Sequence, residues 1–104
     1  MHILRNGSTN VITLSSLFDN IDRTYQEGAT VVAALKDEAD GAITGADAIS
    51  LTQVSGTSGR NVLYRGELAH TVSLPEGTEG TLVVTATNTA GKVRKWTEPC
   101  RFED

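Results

Sequence analysis

Aromatic residues are scarce: Phe, Trp and Tyr together make up 5% of this 104-residue chain, with one Trp and two Tyr. A glycan-binding face asks for exposed rings over a flat surface, and Trp96, Tyr25 and Tyr64 are a thin supply for one. Cysteine is rarer still. The lone Cys100 cannot close an internal disulfide, which excludes a disulfide-rich scaffold and a multi-cysteine zinc site. No stretch approaches the roughly 20 apolar residues of a membrane span, and MHILRNGSTN lacks the apolar run of about 7–15 residues of a secretory signal. The expectation is a product made and kept soluble, with no membrane partner. Basic charge is short as well. Lys+Arg 9 against Asp+Glu 13 gives a net charge of −4, which argues against nucleic acid, because phosphate-backbone binding relies on clustered Lys and Arg.

What the chain does have is alternation. At this length one domain, 1–104, buries roughly two-thirds of the surface its unfolded chain exposes, enough for a core without staples. In ATVVAALKD, Val31, Ala33 and Leu35 share one parity, as in a half-buried strand, although the alanines leave some helix ambiguity. DAISLTQV (47–54) puts Ile49 and Leu51 on one face. NVLYRGEL (61–68) gathers Val62, Tyr64 and Leu68, with Gly66 between them. HTVSL adds Val72 and Leu74. TLVVTATN sets Leu82, Val84 and Ala86 inward against an outward threonine-rich face that suits a sheet. KVRKWTEPCRF reads as a closing strand, with Pro99 best placed on an edge because it cannot donate to a ladder.

Turn residues fall at 6–10, 37–47, 55–60, 75–80 and 88–91, close to the spacing of a sandwich or barrel. Asn6-Gly7 between HILR and VITL is a hairpin signal, and a better reading of Asn6-Gly7-Ser8 than a glycosylation sequon. The stretch 15–28 is the least regular, with a short helical turn expected around 15–21. No linker, repeat or low-complexity tract divides the chain. The fold class that follows is all-β, a single antiparallel sandwich or barrel of about seven short strands.

Motifs for chemistry are weak. Asp37, Glu38 and Asp40 before Gly41 lack the alternate oxygen ligands and closing Glu of a calcium loop, so a solvated turn is the better reading. SGTSGR (55–60) lacks the Gly-Lys-Ser/Thr ending and following helix of a phosphate cradle. His2 and His70 stand far apart, and no Gly-x-Ser-x-Gly elbow is present. An enzyme, a cofactor and a metal are not expected. Cys100 reads as a small buried apolar residue. Trp96 is either a plug in a core poor in aromatics or an anchor at a partner interface. Tyr25 is likewise a core lid or an interface contact.

Two stretches carry a resemblance. MHILRNGSTNVITLSSLFDNIDRTYQEGATVVAALKDEADGAITGA resembles the opening of small virion structural proteins of tailed bacteriophages. Those begin with a short apolar strand and "LRN", run through "L-x-D" to a Tyr, and enter an "A-T-V-x-A-x-L-x-D" strand. Here Leu4-Arg5-Asn6, Leu17, Asp19, Tyr25 and Ala29 to Asp37 appear in that order. GTSGRNVLYRGELAHTVSLPEGTEGTLVVTATNTAGK is similar to the same family's "G-x-Y-x-G-x-x-x-x-x-x-L" strand pair and to a hairpin shared by many immunoglobulin-like domains. The resemblance covers nearly the whole chain. One departure is that Gly80, not a Tyr, precedes Thr81-Leu82-Val83-Val84, so the hydroxyl tie that such hairpins often place at this corner is expected to be missing.

The resemblance implies an immunoglobulin-like β-sandwich of open strand order and a non-enzymatic role in the virion. The implied role is a capsid decoration or cement protein, bound to the major capsid protein in many copies and touching its lattice neighbours or forming a homo-oligomer. A neck, tail or baseplate accessory module is the alternative, followed by a glycan-binding or host-protein-binding module. The partner-contact candidates are Leu17, Phe18 and Tyr25 in the irregular stretch, Arg60 in the 55–60 loop, and Trp96 and Phe102 along the last strand, with an exposed sheet edge expected at 99–102.

Overall fold

The computed structural model describes residues 2–15, 17–19 and 23–104. The described residues form strands β1 (His2–Arg5), β2 (Asn10–Ser15), β3 (Phe18–Asp19), β4 (Thr24–Tyr25), β5 (Thr30–Lys36), β6 (Ile49–Gln53), β7 (Leu63–Leu68), β8 (Glu79–Thr87) and β9 (Val93–Glu103). One 3-10 turn at Gly59–Asn61 is the only helical element among them. The fold is all-β. Its main body is a 7-stranded sheet in the order β1-β9-β8-β5-β6-β7-β2, curled almost into a barrel, and β3 with β4 makes a separate two-stranded ribbon.

The alternation read from the sequence produces the core directly. Register places Val31 opposite Ala86, Ala33 opposite Val84 and Leu35 opposite Leu82. All six are buried, so each rung of the β5–β8 pair sends two apolar side chains inward, which is where cross-strand pairs stabilise a sheet. On the other side of the core, Leu14 stands opposite Tyr64 and Ile12 opposite Gly66. β6 joins the two sides, pairing with β5 through 49–51 and with β7 through 52–53. At that crossing a Cβ on Gly66 would lie 2.4 Å from the Ser50 carbonyl oxygen, so only glycine fits.

Three expectations are corrected. First, β1 and β2 do not pair with each other. β1 runs parallel to β9 and β2 antiparallel to β7, at the two ends of the sheet order. The Asn6-Gly7 turn remains, but Arg5 N donates to Asn10 Oδ1 at 2.8 Å and Asn10 Nδ2 donates to Arg5 O at 3.1 Å, so a side-chain amide takes the place of a ladder partner.

Second, HTVSL is not a strand, although Val72 is buried. Its backbone is claimed by another amide, with Asn6 Nδ2 donating to Leu74 O at 2.6 Å and Leu74 N donating to Asn6 Oδ1 at 3.1 Å. Third, the helical turn expected around 15–21 gives way at Phe18–Asp19 to strand, paired with Thr24–Tyr25. Ser16, Asn20 and Ile21 lie outside the described residues.

Candidate functional site

An edge of a sheet exposes backbone N–H and C=O groups that another chain can complete. Here β9 is longer than the strand that covers it. β1 pairs only with 100–103, from His2 opposite Cys100 to Arg5 opposite Glu103, whereas β8 accompanies β9 along its other side from Val93 to Arg101. Among the described residues, no strand pairs the outer edge of 93–99. The expected exposed edge at 99–102 is therefore shifted: only Pro99 of that stretch belongs to the open run, because β1 closes the rest.

The sequence shapes this edge. Pro99, opposite Thr81 in the β8 register, lies where a missing N–H costs β8 nothing, since alternate residues of a strand turn their polar groups to opposite edges. Val93, Lys95, Thr97 and Pro99 are exposed on the outer face, and Arg94, Trp96 and Glu98 are half-buried on the inner one. Trp96 packs against the rim of the core, opposite Val84. His2 Nε2 hydrogen-bonds Glu98 Oε2, tying the start of β1 to the last rungs of the open run.

The six contact candidates separate. Leu17 and Phe102 are core residues, and at 1% exposure the Phe102 side chain offers a partner nothing. Phe102 is covered because Leu4 stands opposite it on β1. Phe18 and Tyr25 meet edge to face, ring centroids 5.0 Å apart at 70°, and both are half-buried, with Tyr25 packed on the core. Gln26 N donates to Leu17 O at 2.8 Å, closing the base of this β3–β4 ribbon. Arg60 is exposed in the 3-10 turn, remote in sequence from both strands of the ribbon. Trp96 alone of the six lies on the open edge.

Side-chain polar groups elsewhere serve the fold. Asp37 Oδ1 accepts from Ala39 N at 2.9 Å and Gly41 N at 2.7 Å, so the acidic stretch is a turn organised around its own first carboxylate. Among the described residues no group of three or more His, Cys, Asp or Glu comes together as a metal site. Cys100 is fully buried, and burial pushes its thiol above the ordinary range, partly offset by a backbone hydrogen bond from Gly80. Shallow grooves among the described residues include two of similar size. One of about 400 Å3 runs between the 42–44 loop and 71–74, with Asp37 at its rim, and one of about 380 Å3 follows 28–32 and 50–53.

Sequence reasoning missed Tyr64 as a functional tie. Its side chain is fully buried, its hydroxyl donates to Gln26 O at 2.8 Å, and Ala29 N donates to that hydroxyl at 3.3 Å. This tie lies at the segment leading into β5, away from the Gly80 corner. At Gly80 a side chain has no room, since a Cβ would lie 2.4 Å from Lys36 O.

In comparison with known proteins, the chain matches no family model, no curated protein and no solved structure.

Proposed function

We propose that the chain is a non-catalytic protein-binding domain with an immunoglobulin-like sandwich fold, and that it works as a structural component of a tailed-bacteriophage virion, decorating the capsid in many copies. The open run of β9 carries the protein-binding part. Among the described residues no strand pairs this edge, and it lies beside a half-buried Trp96, an arrangement that recruits a strand from another chain.

The strand order supports the sandwich. β6 divides its pairing between β5 and β7, and on this reading the β1-β9-β8-β5-β6 run forms one layer and the β6-β7-β2 run the other, over the shared core. Crossing from β1 to β2 carries the chain from one layer to the other. The virion setting rests on the resemblance of 1–46 and 56–92 to small phage virion proteins. A lattice of identical sites suits such a domain, because weak single contacts accumulate when neighbouring copies also touch.

A quantitative protein inventory of purified particles, with filled heads separated from tails, tests this reading. Copy numbers comparable to the major capsid protein on heads support decoration. A few to a dozen copies on tails or necks would move the domain to a connector or baseplate role. Absence from particles overturns the virion reading and leaves a host-protein binder.

A further inference from the structure

The open run of β9 is self-complementary about Trp96, and we propose that it pairs antiparallel with the same edge of a second copy of this chain, across a two-fold axis at that residue. The proposal deepens the proposed function by naming a partner. It rests on reading this edge as a docking element and needs nothing from the virion setting.

The direction of the backbone groups follows from the neighbours. Phe102 N donates to Thr78 O at 2.9 Å and Gly77 N donates to Phe102 O at 2.8 Å, both on the β8 side. Asn6 N donates to Glu103 O at 2.8 Å on the β1 side. Because successive strand residues turn their polar groups to opposite edges, the N–H and C=O of Val93, Lys95 and Thr97, and the C=O of Pro99, face outward.

A two-fold axis at Trp96 sets Val93 against Pro99, Arg94 against Glu98, Lys95 against Thr97 and Trp96 against itself. Lys95 and Thr97 then exchange both backbone hydrogen bonds at two symmetry-related places, and Val93 N donates to Pro99 O. Pro99 has no N–H to return to the Val93 carbonyl. That carbonyl is already served, since Arg94 Nη1 of its own chain donates to it at 3.0 Å.

The Arg94–Glu98 and Trp96–Trp96 pairs fall at the non-hydrogen-bonded positions, where facing side chains come closest. His2 holds one oxygen of Glu98, which orients the carboxylate and leaves its other oxygen to face the arginine. Every charge contact is made twice, as a two-fold interface requires.

Charge and free length select this register over its neighbours. Moving the axis to Lys95 places Lys95 opposite Lys95, and like charges directly opposite destabilise a pair. Moving it to Thr97 takes Arg94 away from Glu98 and sets it against Cys100, a rung β1 already occupies. Lys and Pro are residues that blunt edges against indiscriminate pairing, and in this register neither obstructs: Lys95 meets a threonine, and Pro99 closes the run.

Charge-reversed variants test the pairing. Sedimentation of the purified chain is expected to show a concentration-dependent dimer, with a concentration-dependent shift in the emission of Trp96, the single Trp. Arg94→Glu faces Glu with Glu, and Glu98→Arg faces Arg with Arg, at two places each, so each variant weakens the dimer about tenfold or more. An equimolar mixture of the two variants restores opposite charges at both places and is expected to form a heterodimer, a rescue that a folding defect cannot mimic.

A chain that stays monomeric at millimolar concentration overturns the proposal, as does a dimer that both reversals leave intact or a mixture that stays monomeric. Failure here leaves the particle inventory to decide the role. Absence from particles with intact self-pairing does the reverse.

Discussion

The Tyr64 hydroxyl donates to the Gln26 carbonyl at 2.8 Å, and through that bond the middle of β7 holds the segment that leads into β5. Ala29 N donates to the same hydroxyl at 3.3 Å, so one phenol fixes two backbone groups of the segment from 26 to 29. Gln26 N in turn reaches Leu17 O, which links the tie to the β3–β4 ribbon and its Phe18–Tyr25 pair. Tyr64→Phe keeps the ring and strands the Gln26 carbonyl. Leaving a buried polar group without its partner costs about 1–3 kcal/mol, a fall in melting temperature of roughly 5–15 °C for a domain of this size. Thermal melts check the cost, and hydrogen exchange is expected to quicken at the Gln26 and Ala29 amides. An unchanged melt would mean that Tyr64 contributes through its ring alone.

The same hydroxyl sets an alkaline limit. Burial raises the Tyr64 pKa above the ordinary 10.0, the Ala29 amide opposes the rise, and the nearby Glu27 charge adds to it. With the folded value above the unfolded one, both states bind the proton below pH 10 and the full stability is present there. Above pH 10 the unfolded chain loses the proton first, so stability falls as pH climbs toward the folded value. Denaturant midpoints measured from pH 8 to 11 are expected to be flat and then decline, with a shallower decline in Tyr64→Phe. Equal slopes in the two proteins would remove Tyr64 from the account.

Parity was the legible part of the sequence. The inward sets Val31, Ala33, Leu35 and Leu82, Val84, Ala86 follow from period-two spacing alone, because one face of each strand is buried. Partnering was not legible in the same way. HTVSL alternates like a strand and Asn6-Gly7 reads like a hairpin turn, yet the amides of Asn6 and Asn10 take the backbone groups that ladders would have used. Such side-chain ties form between residues up to 68 positions apart, beyond the reach of local spacing.

The candidate site was half legible for the same reason. Pro99 marks an edge in the sequence, but where that edge opens depends on where β1 stops covering β9, a long-range pairing that no local pattern announces. The correction at Phe102 follows from this coverage: the sequence reads it as a contact, and β1 makes it core.

Gly80 holds its place by contact. It faces Cys100 across the β8–β9 rung, and a Cβ there would sit 2.4 Å from Lys36 O and 3.5 Å from Cys100 Sγ. The first neighbour is backbone of the adjacent strand and yields only by moving β5 or β8. Gly80→Ala is therefore expected to destabilise by about 1–3 kcal/mol, the range for overpacking. It should also expose Cys100, whose thiol is buried and resists ionisation in the native fold. Thiol labelling under native conditions reads this directly, slow in the wild-type chain and faster in the variant. Equal labelling rates and equal melts would show that the strands absorb the methyl group without strain.

The inward parity can be tested by placing the same charge on the two faces of the sheet. Val84 is 1% exposed on the central strand β8, between Ala33 on one side and Trp96 on the other, whereas Val11 is 56% exposed on the end strand β2. Both are valines in strands, so β propensity and side-chain volume cancel between them. Val84→Asp buries an unpaired carboxylate at a cost on the order of 4 kcal/mol or more, a large share of the stability of a domain this small, and the product is expected in the insoluble fraction. Val11→Asp leaves the carboxylate in water and is expected to stay within about 0.5 kcal/mol of wild type, soluble with a near-normal melt. A soluble, folded Val84→Asp would mean that the β5–β8 rungs do not face the core. An insoluble Val11→Asp would mean that the outer face of β2 is covered in the folded protein.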